Sequence, residues 1–149
     1  MNITNEIAPV ASRPGSSGLR DTINEALQIE GALAAALVDM RTGRCVRTGG
    51  KSTGLRLGAF AAAATRALYR QTGLLGRVFT SPDHVEDVVI TLDTQYHLVR
   101  PVGSGERVFL YCAFDREQTN LAVARRSLAR IAQESPGLTR IWHWQRAAQ

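Results

Sequence analysis

The amino-acid sequence predicts an α/β domain in which a five-stranded antiparallel sheet lies between helices. Three observations predict it. Five runs of strand length, 32–40, 44–48, 85–92, 96–102 and 108–114, are continuously apolar or alternate with a period of two. Short turns rich in Gly, Asp, Thr or Ser separate neighbouring runs, as antiparallel pairing requires. Three further segments carry apolar residues at helix spacing, and the 149 residues suffice for one hydrophobic core but not two.

The elements follow in order. Residues 1–18, with Pro9, Pro14, Gly15, Ser16, Ser17 and Gly18, read as a flexible lead-in. Leu19, Ile23, Ala26 and Leu27 then share one side of a short amphipathic helix, which Gly31 stops. Ala32 to Met40 has Asp39 as its single charge. Its alanines would also suit a helix, but Gly31 and the Arg41-Thr42-Gly43 turn bound a strand, and Arg44 to Thr48 supply an alternating hairpin partner. Small side chains on both faces let helices approach from both sides, so the first strand should be central and the arginine-bearing second strand an edge.

Gly49, Gly50 and Gly54 break the chain again. Leu55 to Thr72 is the longest helical candidate, with Leu57, Phe60, Ala61, Ala64 and Leu68 at helix spacing and Gly73 at its end. The segment from Leu74 to His84 reads as a loop. Val85 to Leu92 alternates, with Glu86, Val88, Ile90 and Leu92 on one face and Asp87, Val89 and Thr91 on the other. Tyr96, Leu98, Arg100 and Val102 share a face of the next strand, and Pro101 marks an edge, a bulge or a strand end. After Gly103-Ser104-Gly105, Val108 to Phe114 is apolar on both faces and belongs near the centre. Asp115 and Gln118 have the spacing of a reciprocal helix cap, before a helix with Leu121, Ala124, Leu128 and Ile131 as its core stripe. Residues 136–149 form a tail whose Ile141, Trp142, His143 and Trp144 are expected to pack on the domain or a neighbour.

The formal net charge is +5, and all but one of the 18 basic residues are arginine. No acid occurs between Asp39 and Asp83, whereas Arg41, Arg44, Arg47, Lys51, Arg56, Arg66, Arg70 and Arg77 fall there. That field would attract an acidic protein, nucleic acid or an anionic membrane alike. Only Phe60 and Tyr69 fall among the eight cations of the basic run, too few to interleave with them, which disfavours stable nucleic-acid binding. No apolar run reaches the ~20 residues of a membrane helix, and the polar start is not that of a signal peptide, so the expected location is the cytoplasm.

Motifs for chemistry are lacking. Gly50-Lys51-Ser52 invites a phosphate-loop reading, but the position five before Gly50 is Cys45, where the loop needs glycine. His84, His97 and His143 do not have metal spacing, and His97 beside Tyr96 and Arg100 reads as surface composition. Cys45 and Cys112 read as buried free thiols. No catalytic residue, cofactor or metal site is expected.

The stretch Glu30-Gly31-Ala32-Leu33 through Val38-Asp39 to Gly43, together with Leu110 through Asp115-Arg116-Glu117-Gln118-Thr119-Asn120-Leu121-Ala122-Val123-Ala124-Arg125-Arg126, resembles the roadblock and dynein light-chain-seven (roadblock/LC7) family, in a bacterial form. The resemblance runs from about Leu19 to Ser135. It implies an α-β-β-α-β-β-β-α arrangement with sheet order 2-1-5-4-3 and the middle helix alone on one face. It also implies a homodimer built from third strands and middle helices, here through Phe60, Ala61, Ala64, Leu68, Val85, Asp87, Val89 and Thr91. Bacterial relatives resemble dimeric regulators or scaffolds of small Ras-like GTPases. The expected function is therefore non-catalytic binding of such a GTPase, with Arg41, Arg44, Arg47, Lys51 and Arg56 as a candidate basic docking surface. Two alternatives stand beside it: an assembly module of a signalling or motility complex without a GTPase partner, and a basic nucleic-acid-binding protein.

Overall fold

The computed structural model describes residues 16–40, 42–51, 61–67, 70, 85–102, 107–135 and 138. Helix α1 (Ser16–Leu27) is followed by β1 (Ala32–Asp39) and β2 (Arg44–Gly50), a helical stretch α2 (61–67), then β3 (Val88–Thr91), β4 (Gln95–Pro101), β5 (Val108–Asp115) and α3 (Leu121–Glu134). The strands form one antiparallel sheet in the order β2-β1-β5-β4-β3. The α/β fold class and the sheet order expected from the resemblance are thus both present.

Alternation along β1 and β5 produces two apolar layers. Ala35 and Leu37 of β1 with Leu110, Cys112 and Phe114 of β5 face α1 and α3, meeting Ile23, Ala26, Leu128 and Ile131. Ala34, Ala36 and Val38 with Phe109, Tyr111 and Ala113 face the other way, onto Ala61 and Ala62 of α2. β5 therefore has every side chain from Val108 to Phe114 buried, as expected of a central strand. Alanine on both faces of β1 keeps both helical layers close to the sheet.

Glycines set the closest approaches. At Gly49 of β2, a Cβ would lie 2.6 Å from Ile23 and 3.0 Å from Leu27, so α1 rests directly on the strand backbone. Gly50, at φ 127°, ends β2 against β1, where a Cβ would meet the Leu33 carbonyl at 2.4 Å. Lys51 N donates to that same carbonyl at 2.9 Å, so Gly50-Lys51 closes a strand pair and does not open a phosphate loop.

Several local expectations are corrected. Helix α1 begins at Ser16, taking in the last residues of the predicted lead-in. The cap of α3 is Asn120, whose side chain accepts from Val123 N, because the β5 register carries Asp115 to the end of the sheet. Asp115 instead accepts from Glu117 N at 3.0 Å. β3 spans only Val88–Thr91, so the period-two pattern does not extend back to Glu86, which reaches Arg100 and leaves the Val88 and Ile90 face. His97 and Arg100 are buried, not on the surface. Pro101 is the last residue of β4, where its missing N–H leaves no gap within the strand. The predicted helix start at 55–60, the Gly73 terminus, the Leu74 to His84 loop, the Gly103-Ser104-Gly105 turn and the aromatic tail lie outside the described residues.

Gly49→Val should force α1 off β2 and lower unfolding stability by about 1–3 kcal/mol. Denaturant midpoints, with circular dichroism to confirm the fold, measure it.

Candidate functional site

The described surface centres on the two strand edges and on the outer side of α2. Among the described residues, β2 pairs only with β1, and β3 only with β4, so each leaves outward backbone groups without a strand partner there. The two edges differ in chemistry. β2 carries Arg44 and Arg47 and has a register shift opposite Leu37 and Val38, features that discourage a further strand. β3 is Val-Val-Ile-Thr, uncharged and paired with β4 in unbroken register.

Side chains of β3 divide between the two layers. Val89 lies opposite Leu98 and packs with the α1 and α3 layer, whereas Val88 packs with the α2 layer, and Ile90 lies opposite His97. On α2, Ala61, Ala62 and Thr65 are buried, Ala64 is half-buried, and Ala63, Arg66, Ala67 and Arg70 are exposed. The interface residues expected from sequence thus scatter. Ala61 packs on the protomer's own sheet, Ala64 lies at the flank of α2, Thr91 is exposed, Val85 is half-buried, and Phe60 and Leu68 lie outside the described residues. Val88 and Ile90, the β3 residues on the α2 side of the sheet, are not among the interface residues expected from sequence; the strand alternation places them together but does not say which layer they face.

Asp87 serves the protomer itself. Its carboxylate accepts from Arg125 Nε and Nη2 at 2.8 and 2.9 Å and lies 3.5 Å from Arg100 Nη1, while Glu86 lies 3.5 Å from Arg100 Nη2. Asp87 and Arg100 side chains are only 8% and 10% exposed. The segment leading into β3 is thereby tied to β4 and α3, so Asp87 is committed before any partner arrives.

A second polar cluster underlies the α2 side of β3. His97 Nε2 meets the Gln95 amide oxygen at 2.8 Å, and Nδ1 meets the Tyr111 hydroxyl at 2.6 Å. An amide oxygen only accepts, so Nε2 carries the proton and Nδ1 accepts from Tyr111. Burial lowers the His97 pKa from its ordinary 6.5, and burial chiefly, with Cys112 beside it, pushes the Tyr111 phenol up to about 12. Both groups stay neutral near pH 7. The Cys112 thiol is likewise pushed up by burial, and Cys45, half-buried, donates to the Arg47 carbonyl; both cysteines are free. Among the described residues, no group of His, Cys, Asp or Glu is arranged to hold a metal ion, and no helix is long and apolar enough to cross a membrane.

Of the basic surface expected from sequence, Arg44 and Lys51 are exposed and Arg47 is half-buried, whereas Arg41 and Arg56 lie outside the described residues.

Layers, sheet order and connectivity together define a roadblock/LC7-type fold. The chain is similar to the roadblock/LC7 domain from Streptomyces avermitilis, at 23% identity over 74% of this chain and 88% of that one, with a TM-score of 0.63. It is also similar to MglB of Myxococcus xanthus (17% identity, 91% and 95% covered, TM-score 0.68) and to the gliding protein MglB of Thermus thermophilus (21%, 83% and 93%, TM-score 0.55). At these identities the likeness is one of fold. No family model and no curated protein matches the chain.

Asp87→Ala should lower stability by about 3 kcal/mol, the low end for removing one partner of a buried ion pair, because Glu86 stays beside Arg100. Urea unfolding of the two proteins measures the difference. For His97, the folded pKa is the depressed one, so the unfolded chain takes up the proton first as pH falls. Its contribution is full above about 6.5 and is lost as pH falls through the folded value. The loss of stability between about pH 7.5 and pH 5.5 should be smaller in His97→Gln than in the parent chain, by the same unfolding measurement.

Proposed function

We propose that this chain is a non-catalytic homodimeric regulator or scaffold whose partner is a small Ras-like GTPase. The observation that carries the dimer is the contrast between edges: β3 is uncharged and in regular register, and β2 is basic and irregular. Pairing two β3 strands would satisfy their outward N–H and C=O groups and extend the sheet across both subunits.

Helix α2 supports the same seam. The Arg66 guanidinium lies over Gly43 in the β1–β2 turn, where a Cβ would approach Nη1 to 2.5 Å. Ala64 lies about 160° around the helix from Arg66, which turns its flank toward the side of the sheet that ends in β3. Ala64 on that flank, with Val88 and Ile90 on the α2 side of β3, would give a low, apolar surface that a second copy of α2 could approach closely. This proposal retains Ala64 from the expected interface, assigns Val89 and Asp87 to the protomer's own packing, and adds Val88 and Ile90.

The GTPase partner is supported by the resemblance of 30–43 and 110–126 to a family whose bacterial members regulate such proteins, and by the shared fold. A scaffold without a GTPase is the second reading; the gliding protein among the similar structures favours a place in a motility complex. In either case the surface supplies position, and any nucleotide chemistry belongs to the partner.

Light scattering should show a dimer at micromolar concentration. Ile90→Asp should weaken it at least about tenfold, since a carboxylate would be desolvated at the seam, with circular dichroism unchanged. A monomer throughout would remove the dimer from the account. Mixing the chain with purified small Ras-like GTPases encoded beside it should yield a complex. Complex formation without faster GTP turnover leaves the scaffold role and excludes the activator; no complex with any of them excludes the GTPase partner.

A further inference from the structure

The described cations divide into two sets. Arg100 and Arg125 pair with Asp87, Arg130 pairs with Glu25 at 2.9 Å, and Arg116 lies over the Tyr96 ring and donates to the Leu92 carbonyl. These charges are engaged within the fold, around β4 and α3. Arg20, Arg44, Arg47, Lys51, Arg66, Arg70, Arg107 and Arg126 enter no ion pair among the described residues.

Three of the second set lie at one end of the sheet, Arg66 on the α2 face and Arg44, next to Cys45 of that layer, on the opposite face. Arg44 is the first residue of β2 and lies opposite Asp39; Arg66 covers Gly43; and the Arg107 carbonyl accepts from Met40 N at 2.7 Å. Arg70, four residues beyond Arg66, is exposed as well. The buried Nε of Arg107 has no hydrogen-bond partner among the described residues. Asp39 is the single acid at this corner among the described residues, and its carboxylate already accepts from Thr42 N. Like charges so placed repel in the free protein, and a carboxylate-rich ligand would relieve them.

We propose that the corner formed by Arg44, Arg66, Arg70 and Arg107 docks an acidic segment of a partner protein. Guanidinium groups from separate elements match carboxylates by paired hydrogen bonds, with more directional specificity than a field of lysines. Nucleic acid is the poorer fit, because no described aromatic residue is exposed to stack on bases. A membrane surface is poorer still, since Val46 is the one large exposed apolar side chain on β2 and α2 among the described residues. Arg66 and Ala64 lie on opposite flanks of α2, so the corner remains open when the proposed dimer forms. The inference rests on the partner-binding reading and is independent of the dimer.

Fluorescence anisotropy with a labelled Asp/Glu peptide of about eight residues, at about 50 mM salt, tests it. The peptide should bind saturably. Arg44→Glu with Arg66→Glu should weaken binding at least about tenfold, and Arg20→Glu with Arg126→Glu, both exposed and in no ion pair among the described residues, less than about twofold. Should the first pair fail to fold by circular dichroism, Arg44→Gln with Arg66→Gln takes its place. Absence of saturable binding, equal weakening by the two pairs, or tighter binding of a charge-matched oligonucleotide or of phosphatidylserine vesicles overturns the proposal. Light scattering of the Arg44 and Arg66 variant should report the parent oligomeric state, which separates this test from that of the dimer.

Discussion

An open sheet cannot satisfy the outward backbone groups of its two terminal strands, and this constraint organises the rest of the molecule. The order β2-β1-β5-β4-β3 buries the apolar strands in the middle and leaves two chemically different strands at the ends. At β2, the edge is arginine-bearing and irregular, which discourages a further strand. At β3, four uncharged residues in regular register offer theirs to another strand. The proposed pairing at one edge and the charge at the other follow from the same topology.

Packing holds those edges in place. Alanines on both faces of β1 and the bare backbone at Gly49 let α1 sit directly on the sheet, and the hydroxyls of Thr22 and Ser135 meet where α1 passes the end of α3. β3 is too short to be stable alone. It is fixed from one side by Asp87, bound to Arg125 and close to Arg100, and from below by His97 held between Gln95 and Tyr111. The Asp87 and Arg100 side chains, His97 and Tyr111 are buried and each has a partner, which is the condition for keeping them inside. A rigid edge is a better template than a frayed one, because less ordering is needed when a partner arrives.

Much of this was legible in the sequence. The apolar character of Val108 to Phe114 on both faces marked a central strand, and Pro101 marked a strand end. The order of strands came only with the resemblance of 30–43 and 110–126, because alternation identifies strands and not their neighbours. The polar core was not legible: His97 and Arg100 resemble surface residues until the register brings Tyr111 and Asp87 to them. The cap of α3 was misplaced for a related reason, since Asp115 and Asn120 both suit a cap and only the length of β5 decides between them. The site was read in part. The arginines of β2 were visible as a run, but their junction with Arg66 and Arg107 depends on where α2 and β5 meet the β1–β2 turn.

The central claim is that β3 is the edge that pairs and β2 the edge that does not. Amide hydrogen exchange as a function of protein concentration tests it most directly, because each strand reports on its own backbone. The account predicts that protection of Val88–Thr91 rises with concentration while that of Arg44–Gly50 stays constant. Protection rising at Arg44–Gly50 instead, or at neither strand, would contradict it.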